Sequence, residues 1–254
     1  MQNKKTLGQN FLTDKNKISE IIEVIPNLST STIFEVGPGK GALTFSLVKK
    51  AKKVIALELD QSLVGFLSAK LISDNFTLIN GDILTFDLTS LEDNKLIFVS
   101  NLPYYISTKI IFKIASDVRF QYVNVMLQKE LVDRIFAKPK TKAYGRLTVS
   151  INSLFELVAK INVPAECFNP KPNVDSGFIV LKRKEPDFEI EPYLSFVKDC
   201  FANKRKKLLN SLKNSNSPYL NVVQDYLSKN NLSINLRAEE IAIDDFIKMW
   251  KEIN

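Results

Sequence analysis

The chain of 254 residues contains no histidine, only two cysteines, and no apolar run near the roughly 20 residues needed to cross a bilayer. Without histidine there is no imidazole base, no serine–histidine triad and no histidine-bound metal. Cys167 and Cys200 lie far apart and lack the spacing of metal ligands, so we expect no metal. Residues 1–10 are polar and unlike a signal peptide, so we expect a cytoplasmic protein without membrane attachment.

The composition is that of an ordinary globular protein, with 45% hydrophobic and 25% charged residues. The charge is less balanced, because 35 Lys and Arg face 28 Asp and Glu, which gives a formal charge of +7. A basic chain favours polyanionic partners such as nucleic acid. A Lys-, Asn- and Ile-rich composition is also typical of AT-biased genomes, so charge alone leaves both explanations open.

Short β-branched runs alternate with helical patterns in the first half of the chain. The predicted strands are Ile33–Val36, Val54–Leu57, Phe76–Ile79, Leu96–Val99 and Val123–Leu127. The predicted helices between them are Ala42–Lys50, Ser62–Leu71 and Thr108–Ala115. Such alternation predicts an α/β fold with a parallel sheet covered on both faces.

The pattern changes in the second half of the chain. Phe155–Val163 and Gly177–Leu181 are predicted strands joined by a proline-rich loop, which indicates an antiparallel pair at one end of the sheet. Beyond Lys184 the apolar residues recur at helical spacing. We therefore predict two domains, an α/β domain over 1–185 and a small helical domain over 186–254.

A glycine-rich turn follows the first predicted strand. The segment Glu35–Gly41 carries Gly37 and Gly39, whose small size lets a ligand approach the backbone. Glu58 ends the second strand, where its carboxylate can bind ribose hydroxyls, and Asp82 follows the third strand, where its carboxylate can hold an adenine amine. The spacing G-x-G-x-G differs from the dinucleotide pattern and favours S-adenosylmethionine over a nicotinamide cofactor. The alternative is a tight turn with solvated acids.

The fourth strand runs into Asn101, Leu102, Pro103 and Tyr104. The exocyclic nitrogen of adenine is a poor nucleophile, because its lone pair is delocalised into the ring. The side-chain oxygen of Asn101 and the carbonyl of Leu102 can accept its two hydrogens, while Pro103 fixes the local backbone. Tyr104 can stack on a base removed from its helix. This pattern indicates methyl transfer to adenine, and a strand-ending turn with a buried tyrosine is the alternative.

Two further segments have a functional and a structural interpretation. Phe168, in the proline-rich loop, either forms a second wall for the base or packs beneath the loop. The run Lys204, Arg205, Lys206 and Lys207 either contacts RNA phosphates or is a solvated helix face.

With these motifs, the chain resembles the KsgA/RsmA family of small-subunit ribosomal RNA adenine N6-dimethyltransferases along nearly its whole length. The resemblance rests on Leu7–Leu12, Glu35–Gly41, Glu58, Gly81-Asp82, Asn101–Tyr104 and Phe168–Asp175. It implies a Rossmann-like class I methyltransferase domain, mostly parallel and seven-stranded, plus a small all-α domain. It also implies that S-adenosylmethionine lies against Asn10, Leu12, Gly37, Glu58, Asp82 and Asn101.

The resemblance implies a substrate as well. The family transfers two methyl groups to each of two adjacent adenines in a hairpin near the 3′ end of the RNA, within the immature small subunit. The basic, leucine-rich segment 203–212 and the segment 236–240 resemble this family more than its two sister families, whereas Tyr105 departs from its usual Asn. Nothing in the sequence indicates an obligate dimer, and we expect a monomer. The alternatives are a large-subunit methyltransferase of the macrolide-resistance type, a non-catalytic small-subunit assembly factor, and a nicotinamide-dependent oxidoreductase.

Overall fold

The computed structural model describes residues 10–103, 105–203 and 206–253. Tyr104, Lys204 and Arg205, to which the sequence analysis assigned roles, lie outside the described residues, as do Leu7 to Gln9 of the N-terminal motif.

The strands of the described chain include all seven that the sequence predicted, with bounds that extend by up to three residues. They are β1 Phe11–Leu12, β2 Thr32–Val36, β3 Lys53–Glu58, β4 Phe76–Asn80, β5 Leu96–Asn101, β6 Phe120–Gln128, β7 Phe155–Val163, β8 Phe168–Asn169 and β9 Ser176–Arg183. The helices are α1 Lys15–Val24, α2 Thr44–Lys50, α3 Gln61–Lys70, α4 Ser107–Ser116, α5 Lys129–Ile135, α6 Arg146–Leu154, α7 Ile190–Cys200, α8 Leu208–Asn214, α9 Leu220–Lys229 and α10 Ile243–Ile253.

Seven strands form one sheet in the order β4-β3-β2-β5-β6-β9-β7. The pairs from β4 to β6 are parallel, and β9 runs antiparallel to β6. The strand order reverses between β2 and β5, and ligands of open α/β sheets bind at the carboxyl ends of the strands beside such a reversal. The predicted α/β class, with a mostly parallel seven-stranded sheet, an antiparallel end and C-terminal helices, is confirmed.

The central strands are buried, and most of their residues are apolar on both faces, with Glu35 of β2 among the exceptions. All five residues of β2 are buried, as expected for a parallel strand covered on both sides. Beneath the sheet, the core includes Ile21 and Ile22 of α1 and Leu47 of α2. Asp60 begins α3 by accepting a hydrogen bond from Ser62 N (2.8 Å), which satisfies a backbone donor of its first turn.

Contacts group the chain into two compact units. The first unit comprises residues 1–129 and 157–183, and the second comprises 130–156 and 184–254. The C-terminal division lies next to the predicted boundary at 185. Residues 130–156, which the sequence analysis placed in the first domain, instead contact the C-terminal helices. Whether 1–185 and 186–254 act as functional domains stays a prediction.

The second unit is held together by an aromatic core and by buried hydroxyl groups. Tyr144 Oη donates to Ile241 O (2.7 Å), and the hydroxyls of Ser153 and Tyr193 are 2.6 Å apart. The ring of Tyr193 packs edge-on against Trp250, with centroids 6.0 Å apart. Among the described residues of both units, no helix is long and apolar enough to span a bilayer.

Candidate active site

A pocket opens at the carboxyl ends of β2, β3 and β5, within the first unit, at the reversal of strand order. It holds about 1150 Å³ of space, measured out to its open mouth. Its lining includes the glycine turn after β2, the ends of the neighbouring strands, and residues 10–12. The location agrees with the rule for ligand sites in open α/β sheets.

The glycine turn between β2 and α2 has a backbone that other residues rarely adopt. Gly37, Gly39 and Gly41 have φ angles of +67°, +60° and +85°. A Cβ at Gly41 would lie 2.7 Å from the ring of Phe45, so packing excludes a side chain there. A Cβ at Gly37 would meet nothing within 4 Å. Gly37 therefore presents bare backbone to the open pocket, where a ligand can approach it closely.

Two carboxylates lie at the ends of neighbouring strands on the pocket wall. Glu58, which is 4% exposed, accepts from Gly39 N through Oε2 and from Asp60 N through Oε1, both at 3.0 Å. These bonds fix the carboxylate against the glycine turn. Asp82 Oδ1 accepts from Leu84 N at 2.8 Å. Carboxylates held in this way can accept hydrogen bonds from the hydroxyl and amine groups of a nucleoside.

Glu35 is a third carboxyl group in the wall, and the sequence analysis gave it no separate role. Burial raises the pKa of Glu35 to about 8, an interaction with Thr44 opposes this rise, and the charge of Glu58 contributes to it. Its Oε2 atom is buried and has no hydrogen-bond partner within the described parts of the chain. Glu35 therefore offers the pocket a carboxyl group that is protonated at neutral pH.

Asn101 ends β5 at the edge of the pocket. Its Nδ2 donates to Asn10 O (3.3 Å), so the side-chain amide is oriented by the segment that precedes β1. This use of the nitrogen leaves the oxygen as the acceptor that Asn101 can offer. Ser100 Oγ donates to Val36 O and ties β5 to β2 at the same level. The peptide that carries Asn101 is thus held to the strand that carries the glycine turn.

The pocket brings together most of the residues predicted from the sequence. Its lining includes the predicted residues Asn10, Leu12, Gly37, Gly39, Glu58, Asp82, Asn101, Leu102 and Pro103. It also includes residues that the sequence analysis did not assign, namely Phe11, Lys40, Ile83, Tyr105, Ile106 and Ile110. Lys40 Nζ lies 4.7 Å from the centroid of Phe11, a contact between residues distant in sequence that no local pattern signals.

Phe168 does not line this pocket. It is 4% exposed and belongs to the hydrophobic core, where β8 pairs antiparallel with β1 and Leu12 lies opposite Phe168. This position is the packing alternative of the sequence analysis, and a role against a base stays a prediction. Lys206 and Lys207 are exposed residues of the second unit.

The residues of the pocket fit S-adenosylmethionine. The open face of Gly37 leaves room for a ligand against the backbone, and the unpartnered Oε2 of Glu35 can accept a hydrogen bond from it. Glu58 and Asp82 supply carboxylates for the polar groups of a nucleoside. The apolar residues Leu57, Ile83 and Ile110 supply surface for a flat ring.

Comparison with known proteins gives one consistent family. The model of the family described as ribosomal RNA adenine dimethylase matches residues 1–254. The chain is 41% identical to the ribosomal RNA small subunit methyltransferase A of Mycoplasma mobile, covering 99% of this chain and 98% of that protein. It is 38% identical to the protein of the same name from Mycoplasmopsis pulmonis, over the full length of both.

Solved structures agree at the level of the fold. A dimethyladenosine transferase from Plasmodium falciparum superposes with a TM-score of 0.78 at 24% identity, covering 96% of this chain and 97% of that one. The 23S rRNA methyltransferase ErmE superposes with a TM-score of 0.68 at 28% identity, covering 96% and 99%. Both support a methyltransferase fold for the whole chain.

Proposed function

The chain belongs to the ribosomal RNA adenine dimethylase family, and we propose that it methylates adenines of small-subunit ribosomal RNA. It is an S-adenosylmethionine-dependent methyltransferase. The proposed reaction places two methyl groups on the N6 amine of each of two adjacent adenines in a hairpin near the 3′ end of that RNA. The relatives named as small-subunit methyltransferases, with identities of 38–41% over nearly full length, support this substrate. ErmE, which is named for 23S rRNA, is less similar at 28% identity, so the large-subunit alternative is not favoured.

One observation carries the proposed chemistry: Asn101 stands at the pocket edge with its amide nitrogen bound to Asn10 O. An adenine amine has two hydrogens to donate and needs acceptors. The oxygen of Asn101 and the carbonyl of Leu102 are suited to accept them. Accepting both hydrogens localises the lone pair on nitrogen, which makes the amine a better nucleophile. Asn101 and Leu102 then act by positioning and by electrostatics rather than as a base.

The remaining roles follow from the lining of the pocket. When bound, S-adenosylmethionine supplies an electrophilic methyl group. Gly37, Glu58 and Asp82 would hold it, with Asn10 and Leu12 closing over the site. The chain has no histidine, and the proton that the methylated amine releases can pass to water. Tyr104, outside the described residues, is proposed to stack on the base.

The test is transfer of labelled methyl groups from S-adenosylmethionine to small subunits that lack adenine dimethylation. Large subunits and naked RNA are assayed in parallel, and nucleosides are identified afterwards. Dimethyladenosine confined to small-subunit RNA is the expected result. Label in large-subunit RNA would assign the chain to the resistance type. Tight binding to small subunits without label would identify a non-catalytic assembly factor.

The variant Asn101→Ala tests the chemical role within the same assay. We expect methyl transfer to be nearly abolished, while the thermal unfolding curve is retained. The matched control is Asn75→Ala, because Asn75 also bonds to backbone carbonyls but lies outside the pocket lining. Near-normal turnover of Asn101→Ala would contradict the mechanism. A cytoplasmic location and a monomeric state are part of this proposal and are measured by fractionation and light scattering.

A further inference from the structure

Tyr105 carries an exposed aromatic ring at the mouth of the pocket. It is 66% exposed, and no other aromatic residue of the described chain is exposed. It nevertheless belongs to the pocket lining, together with the proposed acceptors Asn101 and Leu102. Apolar residues that are scattered singly over a surface need no explanation. A ring at the mouth of a ligand pocket is a different case, because a ligand that enters the pocket can cover it.

The ring of Tyr105 is open to a partner. Its side chain forms no hydrogen bond and no ring contact with the residues that the structure describes. Phe11, the other aromatic residue in the described lining, is already engaged, because Lys40 Nζ lies 4.7 Å from the centroid of its ring. That ring also packs against the glycine turn, where a Cβ at Gly39 would lie 3.1 Å from Phe11 Cε1. Tyr105 is therefore the aromatic surface that the described pocket offers to a ligand.

The backbone beside Tyr105 is anchored. Ile106 N donates to Pro103 O at 3.3 Å, which ties the residue after Tyr105 to a backbone that proline restricts. Ile110 N donates to Ile106 O at 3.1 Å near the start of α4, and Ile110 is fully buried in the pocket wall. A ligand that stacks on the ring therefore meets an anchored segment, so binding costs little ordering entropy of the backbone.

The interior of the pocket already has its proposed occupants, the cofactor and the adenine whose amine is bound by Asn101 and Leu102. A ring at the mouth is placed for a group that stays outside when that adenine enters. In the proposed RNA this group is the neighbouring nucleotide, which is covalently joined to the first and must follow it to the mouth. Every base has a flat face on which an aromatic side chain can stack, and purines offer the larger one.

We propose that Tyr105 stacks on the base that neighbours the adenine in the pocket, and that it thereby favours RNA in which this neighbour is a purine. We call this contact the neighbour stack. It rests on the proposed function for the identity of the RNA, and it extends recognition from the reacting base to the base beside it. The resemblance described above does not supply this role, because the family usually has Asn at the position of Tyr105.

The experiment measures kcat/KM for methyl transfer to small subunits that lack adenine dimethylation. One form carries both adjacent adenines, and two further forms carry uracil in place of either adenine, so that a single adenine remains beside a pyrimidine. Uracil stacks less strongly than adenine. The wild type should therefore lose about tenfold in kcat/KM, mainly through KM, on at least one uracil form. Tyr105→Ala should lose about tenfold on the form with both adenines and lose nothing more on that uracil form.

Two variants control this comparison. Tyr105→Phe keeps the ring and should retain both the wild-type kcat/KM and the preference for an adenine neighbour. Ile72→Ala removes a side chain that is 92% exposed but lies outside the pocket lining, so all its values should equal those of the wild type. A Tyr105→Ala protein that keeps the full preference for an adenine neighbour would overturn the proposal, because the ring would then not contact that base.

Binding of the cofactor tests the alternative that the ring stacks on the adenine of S-adenosylmethionine. Tyr105→Ala should keep the wild-type affinity for S-adenosylmethionine in isothermal titration calorimetry. It should also keep the melting temperature, because the exposed ring has no packing to lose. A loss of cofactor affinity of about tenfold would assign Tyr105 to the cofactor and overturn the neighbour stack.

A binding measurement separates the failure of this proposal from that of the proposed function. The probes are adenosine monophosphate and adenylyl-adenosine, which has a second nucleoside, and the protein is saturated with S-adenosylhomocysteine. The wild type should bind adenylyl-adenosine about tenfold more tightly, and Tyr105→Ala should bind the two probes equally. A chain that shows this difference but methylates no RNA would overturn the proposed function and leave the neighbour stack standing. Equal binding of both probes by the wild type would overturn the neighbour stack even where methyl transfer occurs.

Discussion

At the scale of single residues, Glu35 is the residue of the pocket wall whose pKa departs most from its ordinary value. Burial raises its pKa to about 8, whereas the ordinary value is 4.5. Between these two pH values the unfolded chain releases the proton of Glu35 and the folded chain keeps it. The contribution of Glu35 to stability is therefore largest below pH 4.5, and it falls as the pH rises to about 8.

The variant Glu35→Gln should remove this pH dependence, because glutamine is neutral throughout and has nearly the same shape. The free energy of unfolding is measured by urea titration without cofactor from pH 5 to pH 8. It should fall more steeply with rising pH in the wild type than in Glu35→Gln. The expected difference in slope is about 1.4 kcal/mol per pH unit. Glu92→Gln, at an exposed position, serves as the control. Identical pH profiles for the wild type and Glu35→Gln would show that Glu35 is ionised in the folded protein.

Gly37 is the residue at which a single methyl group should block the cofactor. Its φ of +67° disfavours alanine, and a new Cβ would project into the open pocket. We expect Gly37→Ala to weaken binding of S-adenosylmethionine by at least about tenfold, equivalent to about 1.4 kcal/mol, in isothermal titration calorimetry.

Gly65→Ala is the matched control for that variant. Gly65 lies in α3 and has nothing within 4 Å of its Cβ position. Alanine in a helix is favoured over glycine, so this variant should be more stable by about 0.5–1 kcal/mol and should keep its cofactor affinity. Unchanged binding in both variants would show that the ligand does not approach the turn at Gly37.

At the scale of elements, the pairing of β1 with β8 explains the burial of Phe168. This two-stranded sheet places Phe168 opposite Leu12, whose side chain is also in the core. Thr13 N donates to Cys167 O (2.8 Å) and continues the connection between the two segments. Phe168 therefore fixes the position of residues 11–13, of which Phe11 and Leu12 line the pocket.

Substitution of Phe168 separates packing from a role against the base. Phe168→Ala should destabilise the protein by about 3–5 kcal/mol, because it leaves a large cavity. Phe168→Leu should cost less, and the burial of Phe168 predicts that methyl transfer per folded molecule is retained. The measurements are chemical denaturation and the methyl-transfer assay. A folded Phe168→Leu protein without methyl transfer would support the stacking role instead.

Helices and strands in which apolar residues recur in a clear pattern could be predicted from the sequence, and strands of only two residues could not. The β-branched runs of β2 and β3 identified their strands within one residue at each end, because apolar residues continue along buried strands. β1 and β8 have two residues each, which is too short for any period. Their pairing joins residues about 157 positions apart, so it depends on tertiary contacts.

The site was predictable to a similar degree. Glycines and acids that follow strands share one edge of a parallel sheet, which is why Gly37, Glu58 and Asp82 could be placed together in advance. The protonated state of Glu35 could not be predicted, since it follows from burial. The bond from Asn101 to Asn10 also depends on how the chain before β1 folds back.

At the scale of the whole molecule, the second unit is assembled from two separate stretches of chain. Helix α6 supplies Ser153 to Tyr193, and Tyr144 donates to Ile241. Lys184 N donates to Leu154 O at 2.8 Å, so the two stretches are adjacent where the chain leaves this unit and returns to it. A boundary predicted from sequence order alone cannot detect such an arrangement.

This arrangement makes a prediction about fragments. The fragment 186–254 lacks α6 and should remain largely unfolded, because Tyr193 and the helices around it lose their packing partner. A fusion of 130–156 to 184–254 through a short glycine–serine linker should fold, with a cooperative thermal transition followed by circular dichroism. Cooperative folding of 186–254 alone would contradict the prediction.

The bond from Asn101 to Asn10 has a consequence for the direction in which the amide oxygen of Asn101 points. A side-chain amide that loses this acceptor can rotate by half a turn and present its NH2 group where the oxygen stood. Two donors would then face each other, and the adenine amine would be repelled instead of activated. The placement of residue 10 against β5 would thus decide whether Asn101 presents the oxygen that the proposed reaction needs.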